Sequence, residues 1–360
     1  MTDLLLRAAA LIDIPSVSFD EATIADGIEA ELRGCPWLTV DRVADNVVAR
    51  TTLGRTTRVV LAGHTDTVPV NGNATARIEG DVLWGLGATD MKSGLAVMLE
   101  LATTVAEPAV DVTYVFYATE EVAAVHNGLK ALFEDRPDLL VGDVALLGEP
   151  TSACIEAGCQ GSMRVEVTLV GARAHPARPW MGRNAIHRLG RLLAVLDGYE
   201  ARRPIIAGCE YREAVQAVLV SGGVAGNVVP DAATVTINHR FAPDRTPEQA
   251  EASLCALLAP AMEEGDTWTL VDVANASPPA VDHPLLAALI DRHQLPVQAK
   301  LGWTDVARFA EHGIPAANFG PGDPILAHMA DERVERTDLE RCFAALDDLL
   351  RHGLAGPAST

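Results

Sequence analysis

The 360-residue chain carries 28 basic against 49 acidic residues, a formal charge of −21, and 49% of it is hydrophobic. A field of that sign repels nucleic acid and anionic membrane, so an anionic small molecule would need a local basic pocket. No apolar stretch approaches the ~20 residues that span a bilayer, the length suits one large and one smaller domain, and six cysteines without a CxxC pair read as reduced thiols of a cytoplasmic protein.

The opening MTDLLLRAAALIDIPS puts an acid ahead of its apolar residues and Arg7 among them, which predicts an amphipathic helix rather than a targeting segment. RVVLAG (58–63), VTYVFYA (112–118) and DVALLG (143–148) are near-continuously apolar, the pattern of parallel strands covered on both faces. KSGLAVMLELATTV (92–105) and AVHNGLKALF (124–133) separate them as helices, giving βα alternation.

The middle of the chain has a different period. In SMRVEVTLV, Met163, Val165, Val167 and Leu169 alternate with polar residues, and in TVTINHRF Val235, Ile237, His239 and Phe241 do the same. Period two means one buried and one wet face, as in an open antiparallel sheet. Two helices, NAIHRLGRLLAVLDGY and PEQAEASLCALLAPAM, accompany these strands. After the turn-rich ANASPPAVDHP, GIPAANFG returns as a buried strand. The expected fold is α/β: a catalytic domain of residues 1–161 and 276–360 with a mostly parallel sheet covered by helices. An α+β insertion at 162–275, an antiparallel sheet with two helices, interrupts it.

Chemistry collects where the apolar runs end. RVVLAG leads into His64 and Asp66, LWGLGAT into Asp90, VTYVFYAT into Glu120–Glu121 and DVALLG into Glu149, while ILAHMADE adds His328 from late in the chain. Carboxyl ends of strands form the ligand crevice of an open α/β sheet. Imidazoles and carboxylates without thiolate suit Zn²⁺ or Co²⁺. The donors exceed one tetrahedral shell, which points to two metals, and the two oxygens of Asp90 could bridge them. Asp66, two residues beyond His64, could fix that imidazole's tautomer. The plainer alternatives are a helix start for Glu120–Glu121 and a helix cap for Asp90. GLGATD lacks the third glycine of a dinucleotide fingerprint, MKSG lacks the Gly-Lys pair of a phosphate loop, and no G-x-S-x-G elbow is present.

GHTDTVP, GLGATDMKSG, ATEEV, LGEPT and LAHMADE, in this order, resemble the co-catalytic zinc amidohydrolases, which include aminoacylases, glutamate-type carboxypeptidases, acetylornithine deacetylases and succinyl-diaminopimelate desuccinylases. The resemblance spans almost the whole chain, and IEAGCQGSMRVEVTLVGARAHPARPWMGRNAIH with GWTDVARF favours the desuccinylase branch of lysine and cell-wall precursor synthesis. It implies that Asp90 bridges two zinc ions, His64 and Glu149 completing one site and Glu121 and His328 the other. It implies further that Glu120 is the general base, and that His175 reaches into a partner's site in a homodimer built on the insertion. Arg240, Asn227, Thr304 and Ser162 correspond to substrate contacts. One feature departs from that branch: Cys159–Gln160 stand where many desuccinylases carry two arginines, so an arginine to grip the succinyl carboxylate is missing or is replaced by one such as Arg178 or Arg183. Acetylornithine deacetylase or a broader N-acyl amino acid hydrolase is therefore the second reading, and a non-catalytic metal-binding relative the third. His126, His283, His293, His312 and His352 read as packing or surface residues, and His187 and His239 are placed near the subunit contact with no chemistry assigned.

Overall fold

In the computed structural model, which describes residues 3–355, the apolar runs pair into an eight-stranded mixed sheet. Its order is Thr39–Val43, Asn46–Arg50, Asp111–Tyr117, Arg58–His64, Val144–Leu147, Ala316–Asn318, Ile155–Ala157 and Val297–Ala299. The central four, from Asp111–Tyr117 to Ala316–Asn318, run parallel. Antiparallel strands flank them. Every residue of Asp111–Tyr117 and Val144–Leu147 is buried, which is why these runs show no alternation.

Helix Leu4–Ile12 forms where expected, with the Asp3 carboxylate accepting from the Leu5 and Leu6 amides. It packs on Lys92–Thr104, which is buried from Lys92 to Ala102 and packs in turn on Arg336–His352. Two glycines permit the close fit at the start of that buried helix. A Cβ on Gly94 would lie 2.2 Å from the Gly148 carbonyl oxygen, so the helix can press directly on the strand that ends before Glu149.

Two local expectations are corrected. Val82–Trp84 is not a strand of the main sheet; it pairs antiparallel with Arg77–Glu79 and Arg333–Glu335 in a separate three-stranded sheet. Asp90 therefore reaches the centre from a loop ahead of Lys92–Thr104, with a cis Asp90–Met91 peptide, and not from a central strand end. The helix expected over 124–133 begins only at Gly128, because the Asn127 side chain caps it by accepting from the Lys130 amide at 2.9 Å.

Gly158–Pro278 together with Ala299–Ala307 forms a second compact unit, and the remaining described chain forms the first. The sequence expectation ran 276–360 as one stretch. Ala299–Ala307 packs instead within the second unit, where Gln160 Nε2 donates to the Leu301 carbonyl at 3.0 Å and Trp303 Nε1 to the Asn275 carbonyl at 3.1 Å. Its sheet runs antiparallel in the order Ala214–Gly222, Ala232–Phe241, Gly161–Val170, Thr267–Ala274. One face meets helices Ala185–Asp197 and Pro247–Leu258. Leu189, Leu192 and Leu196 of the first are buried there among Val165, Val167, Val235 and Ile237. Such leucines each contribute roughly 1.5–3 kcal/mol on burial.

Candidate metal centre

Adjacent parallel strands deliver most of the centre. His64 is the last residue of Arg58–His64, Glu120 and Glu121 follow Asp111–Tyr117 on one side, and Glu149 follows Val144–Leu147 on the other. His64 Nε2 lies 3.1 Å from Asp90 Oδ1. His328 Nε2 lies 3.0 Å from Glu121 Oε1 and 3.5 Å from Asp90 Oδ2. Asp90 thus faces both histidines, one oxygen to each, and does not cap its helix. Ligand atoms of His64, Asp90 and Glu121 lie within 4.8 Å of one another. Glu149 is buried, and its charge acts on His64. These nitrogen and oxygen donors without thiolate fit a divalent cation of borderline hardness.

The acids dominate the electrostatics. Burial alone would lower the His64 pKa, but the Asp66 and Asp90 carboxylates and the Glu149 charge outweigh it and raise it well above the ordinary value. Asp90 and Glu121 push His328 up to about 10. Burial opposes ionisation of Asp90, yet the two histidines hold its carboxyl below the usual range. This favours a protonated His328 at pH 7 in the metal-free protein, a proton that a cation bound there would have to displace. Metal uptake at pH 7 is expected to acidify a weakly buffered solution, with affinity rising about tenfold per pH unit for each proton released. Uptake without proton release would contradict this charge state.

A second layer of buried groups holds the acidic loops. The Asp66 carboxylate accepts from the Glu120 amide at 2.9 Å, the Glu121 amide at 3.1 Å and the Ser18 hydroxyl at 2.7 Å. Glu120 and Glu121 are accordingly not a helix start; they lie on an irregular segment pinned by its backbone. His64 Nδ1 donates to the Asp66 carbonyl at 3.0 Å, nearer than the Asp66 carboxylate at 3.5 Å. The tautomer contact expected of the Asp66 side chain thus falls first to its own backbone. Glu21 accepts from the Thr119 amide at 3.1 Å, where Thr119 turns through φ +56. Glu332 accepts from the Thr89 and Asp90 amides, each at 2.9 Å, and burial pushes its carboxyl up to about 7. Sequence reasoning missed Ser18, Glu21 and Glu332. Glu332 stood in the ILAHMADE stretch, but no spacing links it to residues 242 and 243 positions earlier.

The remaining candidates lie in the second unit. Arg240 stands opposite Ser162 on the polar sheet face, its Nε donating to Asn238 Oδ1 at 3.1 Å, and it makes no ion pair among the described residues. Asn227 and His175 are exposed, and His175 Nδ1 accepts from the Ala177 amide at 3.1 Å. Thr304 is buried, and its carbonyl accepts from the Cys159 thiol at 3.7 Å. Arg183 pairs with Glu263, whereas Arg178 makes no ion pair among the described residues. The bland histidines do pack: His312 stacks on Phe133, His126 meets Phe19 edge-on, and His293 and His352 share Asp348. Burial drives buried His239 down to about 4, which keeps it neutral.

A mixed α/β sheet with His64 and carboxylates at its strand ends, joined by Asp90 and His328 from loops, is the arrangement of a metallohydrolase. The chain belongs to peptidase family M20/M25/M40, a metal-dependent family whose sequence model matches residues 60–352. It is 52% identical over 353 residues to a Mycobacterium tuberculosis protein provisionally named succinyl-diaminopimelate desuccinylase DapE, covering 97% of each chain. It is 44% identical to the succinyl-diaminopimelate desuccinylase of Corynebacterium glutamicum, covering 92% of this chain and 91% of that one. The aminopeptidase PepT of Bacillus cereus shares the fold, with a TM-score of 0.78, 20% identity and 96% of each chain covered. No helix among the described residues is long and apolar enough to cross a membrane.

Proposed function

We propose that the protein is a zinc-dependent amide hydrolase, with cobalt able to substitute, that removes succinate from N-succinyl-LL-2,6-diaminopimelate in cytoplasmic lysine and diaminopimelate synthesis. The histidine–carboxylate cluster carries this reading, in a chain akin to desuccinylases over nearly its whole length. His64 and Glu149 would hold one metal and Glu121 and His328 a second, with Asp90 offering one oxygen toward each histidine. When bound, the metals supply a water of lowered pKa, near ~7, and polarise the amide carbonyl.

The chain's own groups do the rest. Glu120 takes the water's proton as its oxygen bonds to the acyl carbon, and returns that proton to the departing amine nitrogen as the C–N bond breaks. Its backbone is fixed by Asp66, and Glu121, in contact with His328, is not free to replace it. Arg240 receives a substrate carboxylate as a two-pronged donor, aided by Asn227, Thr304 and Ser162. The absence of an ion pair at Arg240 among the described residues supports that role.

The second unit is the lid and the homodimer contact, with His175 entering the partner's site to stabilise the oxyanion. Support comes from its edge strand Ala214–Gly222, where Val218, Leu219 and Val220 are 50%, 68% and 57% exposed. An open apolar edge of this kind invites pairing. His175→Ala should lose turnover with unchanged metal content, and recovery in mixed dimers with Glu120→Gln chains would show the crossing. No recovery removes it.

The experiment that tests the activity is turnover of the zinc-loaded protein on N-succinyl-LL-diaminopimelate beside N-acetylornithine. A large preference for the succinyl compound supports the proposal. Preference for acetylornithine overturns it and makes Cys159–Gln160 the reason, since the Gln160 amide is neutral and already bonded to the Leu301 carbonyl.

A further inference from the structure

Glu332 is 1% exposed and touches neither histidine of the centre within hydrogen-bond distance, yet it sits under the loop that presents Asp90. One oxygen, Oε1, accepts from two successive amides, those of Thr89 and Asp90, at 2.9 Å each, and the Gly87 amide also points at this carboxylate. Successive N–H groups converging on one point make an anion-binding concavity. Here the anion is built into the chain. Two further bonds tie the same two segments together: Gly85 N–H donates to the Glu332 carbonyl at 3.1 Å, and Thr89 Oγ1 donates to the Arg333 carbonyl at 2.6 Å. Gly322 leaves little slack, since a Cβ there would meet Thr89 Oγ1 at 3.1 Å.

The segment bound in this way begins four residues earlier at His328. Glu332 therefore joins the two pieces of chain whose side chains meet as His328 Nε2 and Asp90 Oδ2, 3.5 Å apart. We propose that Glu332 is a positioning residue for the metal centre: by fixing the backbone of Thr89 and Asp90, it sets where Asp90 places its oxygens relative to His64 and His328. This rests on the metal reading above. A group that fixes a ligand from behind typically changes metal affinity by about 10–100-fold. A merely structural buried acid would shift the melting temperature and leave coordination alone.

The test compares the full-length wild type with Glu332→Gln, which keeps an acceptor oxygen, and Glu332→Met, which fills the space without one. Each is checked for folding by thermal melt, then titrated with Co²⁺ while the visible absorption bands are followed. Glu332→Met is expected to bind Co²⁺ about 10–100-fold more weakly with altered bands, and to lose kcat while KM changes little. Glu332→Gln should restore the wild-type bands and most of the affinity. A folded Glu332→Met with wild-type affinity and bands would overturn the proposal. If Glu332→Met does not fold, Glu332→Asp decides, since it keeps the charge but draws the acceptor oxygen back from the Thr89 and Asp90 amides by one methylene: weakened Co²⁺ binding with altered bands supports the proposal, and wild-type affinity and bands overturn it. Wild-type protein that takes up no Co²⁺ sinks the metal reading itself, an outcome distinct from the others.

Discussion

Glu120→Gln should keep the metal content of the wild type and lose roughly 10²–10⁴-fold in kcat, the usual worth of a positioned general base. Glutamine has nearly the same shape but cannot carry the proton from water to the leaving nitrogen. The substitution leaves the backbone anchor intact, because the bond to Asp66 comes from the residue-120 amide and not from its side chain. Metal content by elemental analysis and kcat on the succinyl substrate check the two halves separately. A variant that keeps more than a tenth of the wild-type kcat would remove Glu120 from its role.

Asp90→Ala should be as damaging by a different route. Its two oxygens face His64 Nε2 at 3.1 Å and His328 Nε2 at 3.5 Å, so one substitution strips a donor from each proposed site. Loss of a direct ligand exceeds the loss of a group behind it, which already costs about 10–100-fold in affinity. Less than one tightly held metal per chain is expected, with turnover lost in parallel. Titration with zinc against a chelating indicator measures it. Unchanged stoichiometry would rule out the bridging position.

The parallel strands were legible because covering both faces of a sheet demands continuous apolar runs, and Arg58–His64, Asp111–Tyr117 and Val144–Leu147 supply them. The edges were not. Ala214–Gly222 has few buried residues, so alternation is lost along it, and Thr267–Ala274 changes register between Leu270 and Asp272, which breaks period two. Asp90 was found as a donor but set on the wrong support, since LWGLGAT is as apolar as a central strand although it serves a small separate sheet. The residues that fix the acidic loops stayed hidden for another reason. Glu21 and Glu332 act on backbone amides, which leave no mark in a sequence, and Ser18 donates to the Asp66 carboxylate from 48 residues away.

The three-stranded sheet that joins Val82–Trp84 to Arg333–Glu335 also bears on how the protein is made. About 250 residues separate the two partners, and contacts this distant require closing a very long loop before they return any stability. The strand Ala316–Asn318 is likewise inserted late, beside Val144–Leu147. A chain emerging during synthesis at ~5–20 residues per second can form its first helices early, but the loop of Asp90 stays unfastened until residue 335 is free. Assembly of the candidate centre would thus wait until residues 328–335 have emerged, and a chain that stops before them would lack a strand of this sheet and the His328 imidazole.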